Sequence, residues 1–396
     1  MKIIAILDNA IGAGGGFDQG LNAINQMQRL SINRFDFEVF TTRESNLDVL
    51  DRLNIKATII KITILDKFFT GLKENIFWYA LKRKFRLISP LEKKLIKHKC
   101  DLVYFVTPSY FANGLQKLNY IFTLWDLSHI ESPEFPEVRN FDTFFIREKI
   151  YQNNLHPAFL IITESKKLNN IAINHYGVDP DRFLNMPFSP TPFINKSYAL
   201  NKNVILKKYN LIKNYFFYPA QFWAHKNHIR ILQALLVLRD LHNWTPNVVF
   251  SGKDYGNLEH IKFFIKNNNL GSQVKLLGFV PSEDIRGLYE NASALIMPTY
   301  FGPTNLPPLE AWSLGIPLIY PKHFIEHVKE AALLFDPDDS KDLANAMLLS
   351  IKPKIRKKLI SKGFYRLSEI NAARKLSENQ LCRILKRFSL RRECWQ

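Results

Sequence analysis

Cysteine is almost missing from this chain: three residues in 396, at positions 100, 382 and 394. Few, scattered and odd in number, they exclude a disulfide framework or a thiolate metal site and point to a reducing compartment. No apolar run approaches the ~20 residues that cross a bilayer. The apolar start, Lys2 to Leu7, meets Asp8 too soon for a signal peptide. No set of His, Cys, Asp and Glu has the spacing of a metal site, so none is expected. The glycine cluster Gly12-Ala13-Gly14-Gly15-Gly16 is followed by Phe17 where a dinucleotide fingerprint needs its last glycine, and no Gly-Lys-Ser/Thr completes a phosphate loop. Acid is also scarce, with 36 Asp and Glu against 54 Lys and Arg, a net charge of +18.

What is present is material for two well-packed domains, with 46% hydrophobic and 13% aromatic residues. Short apolar runs alternate with helical stretches along the chain, which predicts parallel α/β sheets. Strands are expected at 2–7, 38–42, 57–62, 102–106, 121–124 and 159–163, then at 215–218, 248–251, 274–277, 294–297, 317–320 and 333–335. Between these sets lies the proline-rich Met186–Phe193, which cannot continue a helix and reads as a linker. The fold class is therefore α/β, two doubly wound, Rossmann-like parallel-sheet domains facing a cleft. Charge is concentrated in two places. Residues 67–99 hold ten Lys/Arg against two Glu, and 352–396 hold fourteen against three, leaving the remainder near neutral. Within the first, Trp78, Leu81, Phe85 and Ile88 line one helical face among Lys82, Arg83, Lys84 and Arg86, a pattern that suits an anionic membrane surface. No recognised nucleic-acid motif accompanies the charge, so nucleic acid is not an expected partner.

The most informative stretch runs from Thr299 to Tyr320. A short strand leads into the loop Tyr300-Phe301-Gly302-Pro303-Thr304-Asn305, and Leu306 opens a helix with Pro307 and Pro308 in its first turn. Such a turn aims backbone N–H groups and a positive dipole end at one spot, where a phosphate binds. Glu310, one turn on, is placed for ribose hydroxyls. Lys226-Asn227, after the strand at 215, sits before another helix, and Leu277-Gly278-Phe279-Val280-Pro281 follows a third strand, with Ser282 expected to cap the helix after it.

Together these segments resemble family-4 retaining glycosyltransferases of the GT-B fold, in particular bacterial lipopolysaccharide-type enzymes. Phe301-Gly302 and Pro308-Leu309-Glu310-Ala311 match their Glu-x7-Glu element, whose first glutamate is replaced here by Gly302. Gln221 and Lys226-Asn227 match Gly-Arg-x4-Lys-Asn, with Gln221 in place of arginine. Trp125-Asp126-Leu127-Ser128-His129 resembles the His-Asp segment. The resemblance implies a donor site of Gly15, Gly16, Gln221, Lys226, Phe279, Val280, Thr304, Asn305, Leu306 and Glu310. It also implies catalytic roles for Asp126, His129 and Lys226, with Asp126 orienting the acceptor or acting as base. It implies an acceptor domain over 1–190, a donor domain over 191–370 and a basic tail, 371–396, returning to the first domain. The implied partners are a nucleotide diphosphate sugar as co-substrate, with no cofactor or metal, and a glycan or lipid-linked glycan acceptor. The implied activity is hexosyl transfer with retention, in the cytoplasm at the inner face of the plasma membrane. A GT-B sugar epimerase and a non-catalytic nucleotide-sugar or glycan-binding subunit remain as alternatives, the latter because of Gly302 and Gln221.

Overall fold

A computed structural model of the chain describes residues 1–11, 14–71, 84–85, 87–194, 202–302 and 305–395. The basic, aromatic stretch singled out at 77–88 lies largely outside them. The chain divides into two compact units. Unit 1 comprises 1–131, 141–188 and 373–396, and unit 2 comprises 132–140 and 189–372. The short run 132–140 thus leaves the first half of the sequence and counts with the second unit.

Among the described residues, unit 1 is built on seven strands: β1 (Lys2–Leu7), β2 (Asp36–Thr41), β3 (Ala57–Ile59), β4 (Leu102–Phe105), β5 (Asn119–Thr123), β6 (Leu160–Thr163) and β7 (Phe183–Asn185). Their order is β3-β2-β1-β4-β5-β6-β7, all parallel. Parallel strands covered on both faces need continuous apolar runs, and β1, β4, β5 and β6 supply them, with Ile4, Ile6, Val103, Phe105, Phe122 and Ile161 inside one core. The helix Gly15–Ser31 buries Phe17, Leu21, Ile24 and Met27 at the 3–4 spacing of a single helical face.

Unit 2 repeats the plan with β8 (Tyr215–Pro219), β9 (Val248–Ser251), β10 (Val274–Leu276), β11 (Ala292–Ile296), β12 (Leu318–Pro321) and β13 (Leu333–Phe335), ordered β10-β9-β8-β11-β12-β13 and again parallel. Every expected strand is present, with ends shifted by up to three residues; β7 is an addition. One local expectation changes. Ser282 is the first residue of the helix Ser282–Glu290, with Pro281 in the cap position and no side-chain cap bond. Ser89 caps the helix Pro90–Lys97, accepting from Glu92 N–H at 3.1 Å. The Glu92 carboxylate takes three backbone N–H groups, from Gln116, Lys117 and Leu118, at 2.7 to 3.0 Å.

The chain ends in a 40-residue helix, Pro353–Arg392, whose residues from 373 onward count with unit 1. Among the described residues, no helix is long and apolar enough to cross a membrane.

Candidate functional site

In each sheet the chain starts in the middle, winds to one edge, then returns to wind to the other. The reversal falls between β1 and β4 in unit 1 and between β8 and β11 in unit 2. Loops at the carboxyl ends of strands on either side of such a point leave a crevice that takes ligands.

In unit 2 the loops after β8, β9, β10 and β11 are stitched to one another. Phe222 N–H donates to Lys253 O at 2.9 Å, and Lys253 N–H returns a bond to the Gln221 side-chain oxygen. Gly252 N–H donates to Gly278 O at 2.8 Å, and Tyr300 N–H to His225 O at 3.0 Å. A Cβ on Gly252 would lie 2.2 Å from Ala220 O, so only glycine lets these backbones approach. Gln221 is thereby committed through its oxygen to the neighbouring loop.

Lys226 is half-buried in a short turn, 224–226, with its carbonyl accepting from the Tyr218 hydroxyl at 3.0 Å. Asn227, at φ +54°, starts the helix His228–His242 and sends its side-chain N–H to Pro337 O at 3.1 Å. His225 is held by Glu137, whose Oε1 accepts from both its backbone N–H, at 3.0 Å, and its ring Nδ1. Its ring stacks on Phe301 at 3.8 Å between centroids, with Phe135 edge-on at 6.2 Å. Burial raises the Glu137 carboxyl, but the His225 bonds outweigh it and leave it below its usual range.

The loop after β11 carries Gly302 at φ +101°, where a Cβ would meet Asn305 Oδ1 at 2.9 Å. Thr304 lies outside the described residues. Asn305 occupies the cap position of the helix Leu306–Ser313, but its amide N–H bonds Gly302 O at 2.9 Å and the Tyr320 hydroxyl at 2.7 Å, not the helix. Leu306 is buried. Glu310 is also buried, 6% exposed, and accepts from the Tyr289 hydroxyl at 2.9 Å. Beside these loops Val280 is buried, whereas Phe279 is 51% exposed with the Lys253 ammonium 4.8 Å from its ring centre. Phe279 is thus a surface ring, not core.

In unit 1 the loop after β1 is pinned by Asp8, which accepts from Thr107 and Ser109 hydroxyls at 2.5 and 2.6 Å. Burial pushes this carboxyl up against the pull of both bonds. Gly15 and Gly16 open the first helix, and a Cβ on Gly16 would lie 2.9 Å from the Trp125 ring, which follows β5. Asp126 accepts from the Arg147 guanidinium at 2.5 Å and from Ser128 N–H and hydroxyl at 3.0 and 2.5 Å. Burial would raise its carboxyl, but Arg147 and Ser128 hold it well below the usual range. A carboxylate so stabilised is a poor base. His129 has no exposed surface. Its Nε2 lies 3.1 Å from Glu148, and burial, reinforced by the Arg147 charge, lowers its pKa to about 4. Its ring packs against Phe144 and Tyr151, an interior position.

The structure therefore gathers Gln221, Lys226, Phe279, Val280, Asn305, Leu306 and Glu310 around the unit 2 strand ends, and Gly15, Gly16 and Asp126 around those of unit 1. Sequence reasoning missed Glu137, His225, Phe135, Tyr289 and Arg147. The available signal was the acidic, proline-rich run Glu131–Glu137 in an otherwise basic chain. It also passed over two Asp-Pro-Asp runs. In the second, Asp336 pairs with Lys322 at 2.6 Å, and Asp338 accepts from the Tyr300 hydroxyl at 2.6 Å. Among the described residues, no group of three or more His, Cys, Asp or Glu could hold a metal ion.

Residues 202–364 match the sequence model of the family described as glycosyl transferases group 1. The chain is 25% identical over 273 residues to O-antigen chain mannosyltransferase B of Escherichia coli, covering 68% of this chain and 70% of the relative. It is 27% identical over 151 residues to O-antigen chain mannosyltransferase RfbU of Salmonella typhimurium, covering 38% of this chain and 41% of RfbU. Among solved structures, Anabaena HepE in complex with UDP and glucose superposes with a TM-score of 0.68 at 18% identity, covering 98% of this chain and 99% of HepE. A glycosyltransferase from Rickettsia africae matches with a TM-score of 0.68 at 13% identity, covering 98% of each chain. The chain has the GT-B fold and is related to bacterial glycosyltransferases.

Proposed function

We propose that this protein transfers a hexose from a nucleotide diphosphate sugar to a growing, lipid-linked surface glycan, with retention at the anomeric carbon and without a metal. One observation carries the reading. The lysine turn after β8 and the helix start after β11 meet at the unit 2 switch point, joined by the Tyr300–His225 bond. Lys226 then neutralises charge growing on the leaving diphosphate, and the N–H groups at Asn305 and Leu306 add the helix dipole. Glu310 binds the ribose. A carboxylate has about four acceptor sites, so the Tyr289 bond orients it without exhausting it. Phe279 and Val280 face the base, Gln221 and Thr304 contribute polar contacts, and Gly15 and Gly16 approach the donor. Asp126, fixed by Arg147, orients the acceptor, and His129 supports that pair from behind. The mannosyltransferase names of the sequence relatives support a glycan acceptor, and the UDP and glucose bound to HepE support the donor class.

Thermal stabilisation by UDP-glucose and GDP-mannose, followed by radiolabel transfer to a lipid extract, tests the reading. Lys226→Ala and Glu310→Ala are each expected to weaken donor binding about tenfold or more, the cost of one charge-assisted contact. Unchanged affinity in both would refute the site. A second reading, a binding subunit without turnover, is favoured by Gly302 and by the engagement of Gln221. Stabilisation by a donor with no transfer to any acceptor would select it.

A further inference from the structure

We infer that Glu137 is a positioning residue for the donor diphosphate, acting through His225 on the turn that carries Lys226. The inference rests on the donor-site reading above. Its basis is geometric. A single carboxylate oxygen, Oε1, accepts from the backbone N–H and the ring Nδ1 of one residue, and that residue immediately precedes Lys226. A carboxylate only accepts here, so Nδ1 carries the proton and the ring orientation is fixed. Both side chains are over nine-tenths buried, at 8% and 9% exposure, where such bonds are poorly screened by water.

The turn is then clamped on every side. His225 N–H goes to Glu137, His225 O receives Tyr300 N–H, Lys226 O receives the Tyr218 hydroxyl, and the Asn227 amide reaches Pro337 O. Phe301 lies flat on the imidazole, while Phe135, two residues before Glu137, packs against His225, Tyr300 and Phe301. Lysine is a point charge on a flexible stem, so its effect on a developing anion depends on how firmly its base is set. Glu137 supplies that setting from a segment 88 residues away in sequence. It touches no substrate in this scheme; the lysine does.

The test measures binding to whichever of UDP, GDP, ADP and dTDP most raises the Tm of the wild-type chain, and to its parent nucleoside. Proteins compared are wild type, Glu137→Ala, Glu137→Gln, Lys226→Ala and the double variant Glu137→Ala/Lys226→Ala. Glu137→Ala should weaken the diphosphate about tenfold and leave the nucleoside within about twofold, a split that general loosening of the fold would not produce. Glu137→Gln, which keeps the accepting oxygen, should recover most of the loss. In the Lys226→Ala background the Glu137→Ala penalty should vanish, because both act through one ammonium. Additive losses, equal losses for nucleoside and diphosphate, or no loss overturn the role of Glu137 while leaving the donor site standing. If no nucleoside diphosphate binds the wild type, both ideas fall.

Discussion

Glu164 follows β6 with one carboxyl oxygen accepting from the Ser165 hydroxyl at 2.9 Å and the other, Oε2, buried with no partner among the described residues. Burial, aided by the nearby Asp126 charge, pushes its pKa up to about 8 from an ordinary 4.5. The folded state therefore keeps a proton that the unfolded chain releases above pH 4.5. Stability from this group is full below that pH and is lost as pH rises toward 8. Glu164→Gln keeps the shape and cannot ionise, so its stability relative to wild type should climb between pH 5 and pH 8.5, by about 2 kcal/mol after allowing for relaxation around the charge. Urea unfolding of both proteins at the two pH values measures the difference, and a constant difference refutes the protonated carboxyl. At Gly302 the expectation is the reverse of a repair. Restoring a glutamate forces an L-residue to φ +101° against Asn305, so Gly302→Glu should cost about 1–3 kcal/mol and bring no gain in donor binding. A rise in donor affinity would show that the loop can rearrange.

At the level of elements, the strands were legible because buried parallel strands are written as unbroken apolar runs, such as Leu102-Val103-Tyr104-Phe105. β7 escaped because its apolar run is only Phe183-Leu184, broken by Asn185, whereas the equally short β13 lies in the longer apolar run 331–335. A serine that itself caps, such as Ser165, accepts from the N–H three residues on, here Leu168 at 3.2 Å. The cap expected at Ser282 does not form, because Pro281 takes the cap position and Ser282 is already helical. The Lys226 and Glu310 segments could be read because each is a local turn between strand and helix. The Glu137–His225 anchor could not, since no local pattern records a pairing across 88 residues. The terminal helix carries an anchor of the same hidden kind. Glu378, nearly buried, accepts from Gln26 at 2.9 Å and Arg29 at 2.5 Å on the first helix of unit 1. Glu378→Ala leaves the buried Gln26 amide with only the weak Met186 sulfur acceptor, at 3.1 Å, but Arg29 is largely exposed and stays solvated, so the loss should be about 1–3 kcal/mol. Urea unfolding measures it. A Glu378→Ala protein as stable as wild type would mean the helix is held by its apolar contacts, Phe388 on Phe159 foremost.

For the molecule as a whole, the distribution of charge matters more than its sum. Residues 352–396 carry fourteen Lys/Arg against three Glu, and Lys352, Lys354, Lys357, Lys358, Lys375, Arg383, Lys386, Arg387 and Arg391 are all exposed. Among the described residues few of the cations in this stretch pair with a carboxylate, Lys362, Arg366 and Arg392 being those that do, so their field reaches into solvent over about a Debye length, ~8 Å at physiological salt. An anionic bilayer attracts such residues by about 1 kcal/mol each when they lie near its surface. A peripheral membrane role then requires binding to phosphatidylglycerol vesicles that weakens with salt and is absent on phosphatidylcholine. Replacing Arg383, Lys386, Arg387 and Arg391 with glutamine should weaken vesicle binding roughly a hundredfold, less than four full increments because the charges do not all reach one plane. These residues lie far in sequence from the lysine turn and the Glu310 helix, so donor binding should be unchanged. Co-sedimentation at low and high salt decides the matter. If neutral vesicles bind equally well, or if the quadruple variant binds as wild type does, the terminal helix is not the docking element, and the charge at 67–99 becomes the one to remove.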